Sequence, residues 1–154
     1  MVEIKKANLQ DAKAISQMMI NNINLLSSKS YSEEQISAMK KYVSEENIKK
    51  CIKDFEVFIA LDNNEVVGTI SFQKDLIFSV YVKGSTNFIK EEIGDKMLKF
   101  VEAYAKKLGE NKISLISMPT TKTFFEERGY KVVEDLLLDF DGVDFPEYKL
   151  EKNL

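Results

Sequence analysis

The stretch from Asp75 to Leu108 contains the residues whose types and spacing could support chemistry. Its apolar run from Leu76 to Val82 is rich in β-branched and aromatic residues, which predicts a buried strand. Turn-forming residues follow, and from Ile93 onward apolar residues recur at helical spacing. A helix that follows a strand through a loop begins with unpaired backbone N–H groups, where an anion can bind. The pattern therefore predicts either an anion site or a plain strand-to-helix connection.

The composition excludes several classes of function. The chain has no histidine, the commonest metal ligand, and Cys51 is its only cysteine, so neither an intramolecular disulfide nor a thiolate metal cluster is possible. Arg128 is the only arginine and the formal net charge is −3, which does not indicate a nucleic-acid partner. Because no apolar run approaches membrane-spanning length and the N-terminus lacks a signal-peptide core, we expect a cytoplasmic protein with no membrane partner. The length of 154 residues predicts one domain, residues 1–154.

The elements that position the central stretch can be predicted along the chain. An edge strand at Val2 to Lys6 precedes two amphipathic helices, the second opened by a capping-box pattern of Ser32 with Gln35. After Phe55 the pattern changes to strands, with a tight turn at Asn63-Asn64. The predicted order is β-α-α-β-β-β-α-β-α-β-β, a mixed α/β fold with helices packed on a sheet.

Several element boundaries follow from local signals. Ser44 predicts a cap for a further helical turn or two, and Pro119 predicts the first residue of a short helix that ends at Gly129. The last strand is predicted at Glu147 to Leu150. The long central helix is predicted to end before Gly109. Its buried stripe is predicted to comprise Ile93, Met97, Phe100, Val101, Tyr104 and Leu108.

Three segments, in this order, resemble the GNAT superfamily of acyl-CoA-dependent N-acetyltransferases: IFSVYV, IGDKMLKFVEAYAKKLG and FFEERGYKVVED. The first two are similar to that family's acetyl-CoA strand and pyrophosphate-binding helix, and the third to its phenylalanine-tyrosine-x-x-x-glycine-phenylalanine segment. YSEEQ and the terminal YKLEKNL also resemble a common bacterial subset, so the resemblance covers nearly the whole chain. It implies the GNAT fold, a mostly antiparallel twisted sheet of about six or seven strands with helices on both faces.

The resemblance implies an N-acetyltransferase that passes the acetyl group of acetyl-CoA to a primary amine of a small molecule or peptide. It implies direct attack in a ternary complex, with two central strands splayed apart and the pantetheine arm on the backbone of Val80, Tyr81 and Val82. It also implies that amides at the helix start bind the pyrophosphate. The residues concerned are Lys90, Glu92, Ile93, Gly94 and Asp95.

The chain departs from the family pattern at four positions. The family's phosphate loop has glutamine or arginine, two residues, glycine, one residue and glycine, where this chain has Ile89, Glu92 and Gly94. Met118 replaces an asparagine that often contacts the pantetheine arm, and Phe125 replaces a tyrosine often proposed to protonate the thiolate. Two hypotheses follow: an acetyltransferase that uses acetyl-CoA, and a non-catalytic GNAT-fold module that binds a ligand or a protein partner.

Direct attack needs a base for the amine proton and an acid for the departing thiolate. Asp75 at the head of its strand and Glu65 on the neighbouring strand are candidate bases, although each is also explained as a solvated strand-end charge. Tyr81 could donate a proton, or could be a core residue with a satisfied hydroxyl. Tyr31 lies where the family's acceptor-binding loop would be, or it packs as a hydrophobic staple.

The C-terminal part of the chain raises two further expectations. Its acidic residues could attract a cationic amine or form a solvated sheet edge: Glu134, Asp139, Asp141 and Asp144. Because family members often dimerise through their C-terminal strands, the resemblance implies a homodimer.

Overall fold

A seven-stranded sheet organises the protein, whose computed structural model describes residues 1–26, 28–84 and 91–154. The order across the sheet is β1-β2-β3-β4-β5-β7-β6, and every neighbouring pair is antiparallel except the parallel pair β4–β5. The strands are β1 (Val2–Lys6), β2 (Glu56–Asp62), β3 (Glu65–Gln73), β4 (Leu76–Val82), β5 (Lys112–Ser117), β6 (Lys131–Phe140) and β7 (Val143–Asn153).

Five α-helices lie in the described part of the chain: α1 (Ala12–Asn24), α2 (Glu33–Tyr42), α3 (Glu45–Asp54), α4 (Glu91–Lys107) and α5 (Lys122–Glu126). The predicted order omitted α3 as a full helix, and its ten residues exceed the turn or two expected after Ser44. In contrast, α5 is shorter than predicted and does not begin at Pro119. The last strand, β7, extends well beyond the predicted Glu147 to Leu150. Within the described residues, no helix combines the length and apolar character needed to cross a membrane.

The helices cover both faces of the sheet, as expected. Along β2, Val57 and Ile59 belong to the core formed with α1 and α3, whereas Phe58 and Ala60 belong to the core formed with α4 and α5. This alternation follows from the two-residue repeat of a strand. A third, smaller core joins α2 to the β6–β7 hairpin.

Local signals account for several boundaries. Asn63 and Asn64 both have positive φ, 50° and 65°, which confirms the predicted tight turn between β2 and β3. The capping box of Ser32 with Gln35 is also confirmed, with both reciprocal hydrogen bonds present. Gly109 has a φ of 90° and ends α4 as predicted.

The buried stripe of α4 was predicted only in part. Met97 and Val101 are fully buried, but Leu108 lies beyond the helix and is 56% exposed. Leu98 and Ala105 complete the buried face instead.

Candidate active site

The strands β4 and β5 diverge soon after they begin. Their parallel pairing consists of Leu76 with Ser114 and Ile77 with Leu115, and the main-chain N–H of Ser114 donates to the carbonyl of Asp75 over 2.7 Å. Beyond Ile77 the described part of β4 has no further pairs with β5, which continues its antiparallel ladder with β7. One edge of β4 therefore faces a gap in the sheet.

A bulge in β4 lies at this gap. The pairing of β4 with β3 shifts between Thr69 and Ser71, so Ser79 and Val80 together lie opposite a single residue of β3. Ser79 has a φ of 50°, a left-handed conformation that is uncommon for a serine within a strand. Because a bulge bends and twists its strand, this one helps β4 to turn away from β5.

A cavity of about 380 Å³ occupies the gap. Thr121, which precedes α5, and Phe125 of α5 form its wall on one face of the sheet, and Met39 and Tyr42 of α2 form its wall on the other. The cavity therefore extends through the sheet between β4 and β5. Met118, just after β5, is also part of the lining, and the strands contribute the rest: Gln73, Leu76, Phe78, Ser79, Val80, Tyr81, Ile116, Leu138, Asp139, Phe140, Phe145 and Glu147.

Glu147 supplies a buried carboxylate to this cavity. The alternation of β7 puts it on the same face as Phe145, towards α2. Its Oε2 atom is buried and has no hydrogen-bond partner in the part of the chain that the structure describes. Burial raises the pKa of this carboxyl from 4.5 to about 7. A carboxylate with a pKa near neutrality can accept a proton from a bound amine.

Three tyrosines lie in or beside the wall of this cavity. Tyr42 and Tyr81 line the cavity, and Tyr31 lies behind the wall, where its hydroxyl donates to the sulfur of Met118 over 3.3 Å. Burial raises the pKa of all three, and the negative charge of Glu147 raises the pKa of Tyr31 and Tyr81 further. The hydroxyls are therefore protonated at neutral pH and can donate hydrogen bonds.

The two carboxylates predicted as bases lie outside the cavity. Asp75 is in the turn between β3 and β4, at the end where β4 and β5 are still paired. Glu65 begins β3 and forms an exposed ion pair with Lys83. Neither side chain lines the cavity. A catalytic role for either one stays a prediction without support from the cavity geometry.

The start of α4 carries the residues predicted to bind pyrophosphate. Gly94 is buried, Ile93 is partly buried and Glu92 is exposed to solvent. Lys90 and Ile89 lie outside the described residues, so the role of Lys90 stays a prediction.

Arg128 joins the start of α4 to α5. Its guanidinium forms an ion pair with Asp95, donates to the carbonyl of Phe124 over 2.9 Å and lies 3.6 Å from the centroid of the Phe124 ring. The hydrogen bond from Arg128 lowers the pKa of Asp95, and Glu91 lies 4.0 Å from the same guanidinium. The only arginine of the chain therefore offsets negative charge at the predicted phosphate site, and the Asp95 side chain is already engaged.

Part of the backbone predicted to bind the pantetheine arm already forms a hydrogen bond within the protein. The side-chain amide of Asn22 donates to the carbonyl of Val82 over 2.8 Å and accepts from the N–H of Gly84 over 3.0 Å. The Val82 carbonyl is thus engaged, whereas Val80 and Tyr81 line the cavity. Asn22 anchors the end of β4 to α1.

Two of the residues that depart from the family pattern, Met118 and Phe125, lie at the cavity. Met118 forms part of the wall, and Phe125, only 2% exposed, packs there against Phe124 and Tyr130. Neither side chain can donate a proton through a hydroxyl. Among the lining residues that the structure describes, Tyr42 and Tyr81 provide the phenolic hydroxyls.

The sequence-based predictions do not include Glu147, which lines the cavity, or Asn22, which binds the end of β4. The signal for Glu147 was its alternation with Phe145 within a strand, which puts a carboxylate on an apolar face. The sequence pattern alone does not place Glu147 at the cavity. Its position there depends on β7 lying between β5 and β6, beside the gap. Asn22 had a weaker signal, an amide next to the buried stripe residue Ile23.

Known proteins share this architecture. A GCN5-related N-acetyltransferase from Rhodopseudomonas palustris superposes with a TM-score of 0.88 at 21% identity, covering 99% of this chain and 95% of that one. The PaiA N-acetyltransferase from Thermoplasma acidophilum, solved in complex with coenzyme A, superposes with a TM-score of 0.77 at 22% identity, covering 100% of this chain and 99% of that one. An N-acetyltransferase from Staphylococcus aureus superposes with a TM-score of 0.74 at 17% identity, covering 99% of this chain and 97% of that one. At these identities the likeness establishes the fold.

The sequence comparison identifies the family. None of the curated proteins matches the chain significantly. Residues 27–152, most of the chain, match the family profile described as the acetyltransferase (GNAT) domain. The seven-stranded sheet with helices on both faces agrees with that fold. The chain belongs to the GNAT family of acetyltransferases, enzymes that use acetyl-CoA.

Proposed function

We propose that the protein transfers the acetyl group of acetyl-CoA to a primary amine of a small molecule or peptide, by direct attack while both substrates are bound. The observation that carries this proposal is the cavity through the β4–β5 gap, with walls from α5 on one face and α2 on the other. Substrates that approach from opposite faces can meet within it, and holding them together removes much of the entropic barrier to reaction.

The free edge of β4 suits the pantetheine arm of acetyl-CoA. The strand has no described pairing with β5 beyond Ile77, so the backbone of Val80 and Tyr81 is available to an extended ligand at the gap. Backbone amides near Gly94 would bind the pyrophosphate at the start of α4. The acidic side chains of Glu91 and Glu92 are exposed there and can point into solvent.

Tyr81 is the proposed proton donor. When bound, acetyl-CoA supplies a thioester, whose sulfur leaves as a thiolate after the amine attacks. Tyr81 lines the cavity, and burial raises the pKa of its hydroxyl, so the group carries its proton at neutral pH. It can donate a hydrogen bond to the sulfur. Tyr31 supports the acceptor side through Met118.

Isothermal titration with acetyl-CoA, and with plain CoA in parallel, tests the cosubstrate. We expect saturable binding of both to the wild-type protein and weaker binding to Gly94→Leu, because a side chain at this buried position crowds the helix start. Ala103→Leu, an exposed position of the same helix, is the matched control and should bind normally. Absence of binding at millimolar ligand would reject the proposal.

The homodimer implied by the resemblance stays a prediction. The edge strand β6 leaves Val133 and Leu137 exposed, at 51% and 67%, which supports an association through the C-terminal strands. Light scattering coupled to gel filtration measures the mass in solution, and a monomer at micromolar concentration would contradict this prediction.

A further inference from the structure

The cavity contains a buried carboxylate oxygen that lacks a hydrogen-bond partner among the described residues. Glu147 Oε2 has no hydrogen-bond partner among the described residues, although buried polar atoms in proteins almost always have one. Leaving a carboxylate unpaired away from water is costly, and a cation that brings its own N–H donors removes that cost. The atom is therefore positioned to receive a donor from outside the chain.

The described residues offer no cation at this position. Of the described residues that line the cavity, none is a lysine or an arginine. Lys149 is two residues along β7, and no ion pair or hydrogen bond joins it to Glu147 in the described structure. The other acidic residue of the lining, Asp139, is exposed at the rim and accepts from the N–H of Gly142 over 2.8 Å.

The wall around Glu147 is apolar and aromatic. Tyr42 and Tyr81 contribute rings and neutral hydroxyls, and Met39, Phe140 and Phe145 contribute apolar surface. Such a wall suits an ammonium group, because aromatic faces attract cations, and it suits a hydrocarbon body. A second ammonium deep in the cavity would find no buried carboxylate among the described lining residues.

We propose that Glu147 binds the ammonium group of the acceptor and takes its proton, so that the preferred acceptors are primary amines with one positive charge and an apolar body. This inference rests on the proposed acetyl transfer and deepens it by naming the acceptor class.

The reaction removes two protons from the acceptor nitrogen. The ammonium transfers one proton to the carboxylate of Glu147 and becomes a neutral amine, whose lone pair attacks the thioester carbonyl carbon. The C–N bond forms and the C–S bond breaks, and the second proton released from nitrogen neutralises the departing thiolate, directly or through Tyr81. The products are an amide and CoA thiol, and Glu147 returns its proton to solvent.

The test compares Glu147→Gln, which keeps the size of the side chain and removes its charge, with wild type. The first readout is kcat/KM for 2-phenylethylamine and for hexylamine at saturating acetyl-CoA. We expect Glu147→Gln to lose about 10²–10⁴-fold, as for removal of a general base. Glu3→Gln, an exposed carboxylate on β1, is the matched control and should retain full activity.

Binding measurements separate this inference from the acetyltransferase proposal. Wild-type protein saturated with CoA should bind 2-phenylethylamine, and Glu147→Gln should not, while both bind acetyl-CoA equally. If acetyl-CoA binds and Glu147→Gln acetylates and binds amines like wild type, the role of Glu147 is overturned and the acetyl transfer stands. If acetyl-CoA does not bind wild type, the acetyl transfer itself fails.

The acceptor class has its own comparison in the wild-type enzyme, independent of any variant. We expect hexylamine to be a better acceptor than 1,6-diaminohexane, which has the same reach and a second charge. A clear preference for the diamine would overturn the single-charge inference, and loss of that preference in Asp139→Asn would identify the rim carboxylate as the second cation site.

Discussion

The side-chain amide of Asn22 on α1 donates a hydrogen bond of 2.8 Å to the main-chain carbonyl of Val82 at the end of β4, sixty residues along the chain. The same amide accepts from the N–H of Gly84, so one side chain satisfies two backbone groups where β4 leaves the sheet. The position of the strand edge that faces the gap therefore depends on a residue of the first helix.

Asn22→Ala should destabilise the protein, because two backbone groups near the gap lose their protein partner. We expect a loss of about 1–3 kcal/mol in the free energy of unfolding, measured by urea denaturation. Asn24→Ala, at the exposed end of the same helix, is the control. Equal stability of the two variants would contradict the anchoring role of Asn22.

Arg128→Lys should also be destabilising although it conserves charge, because lysine cannot reproduce the planar contacts to Asp95 and to the Phe124 carbonyl. We expect a loss of about 1–2 kcal/mol at neutral pH, with Lys131→Arg as the exposed control. The pKa of Asp95 is lowered in the folded protein from 3.8, so its pairing stabilises above that pH and is lost as the pH falls through the folded value. The difference in free energy of unfolding between Arg128→Lys and wild type should therefore become smaller in strong acid. A difference that does not change with pH would contradict the pairing of Arg128 with Asp95.

In the protein without bound substrates, Glu147 should lower the free energy of unfolding as the pH rises. Its carboxyl has a pKa of about 7 in the folded state against an ordinary value of 4.5, so the folded state holds more protons between these pH values. Stability should fall by about 2–4 kcal/mol across that interval. In Glu147→Gln this fall should be absent, and the variant should be more stable than wild type at pH 8. Parallel stability curves of the two proteins would show that the carboxyl is not buried in solution.

Catalytic activity should rise with pH, whereas stability should fall. If Glu147 accepts the amine proton, kcat/KM should rise with pH through an apparent pKa near 7, since only the carboxylate form can act. The nearby tyrosines Tyr31, Tyr42 and Tyr81 have raised pKa values and do not titrate in this range. Glu147→Gln should lose this limb of the profile. Persistence of the same limb in the variant would assign it to another group.

Local patterns predicted most of the fold, and tertiary relations determined most of the site. The turn at Asn63-Asn64 and the cap at Ser32 follow from short-range chemistry, and both are present. The positions of Asp75 and Glu65 beside the central strands predict them as bases, but the parallel pairing places Asp75 at the closed end of the gap. Glu147 could not be singled out in this way, because its burial depends on β7 crossing between β5 and β6.

The parallel contact between β4 and β5 consists of two residue pairs in an otherwise antiparallel sheet. Mechanically the sheet therefore has a seam, with β1 to β4 on one side and β5 to β7 on the other. A pantetheine arm bound along β4 would act as a strut across that seam, so the cosubstrate would contribute to the cohesion of the sheet as well as to the reaction. Amide hydrogen exchange at the seam should then slow in both halves together when CoA binds, which would make the stiffness of the whole sheet a measure of cosubstrate occupancy.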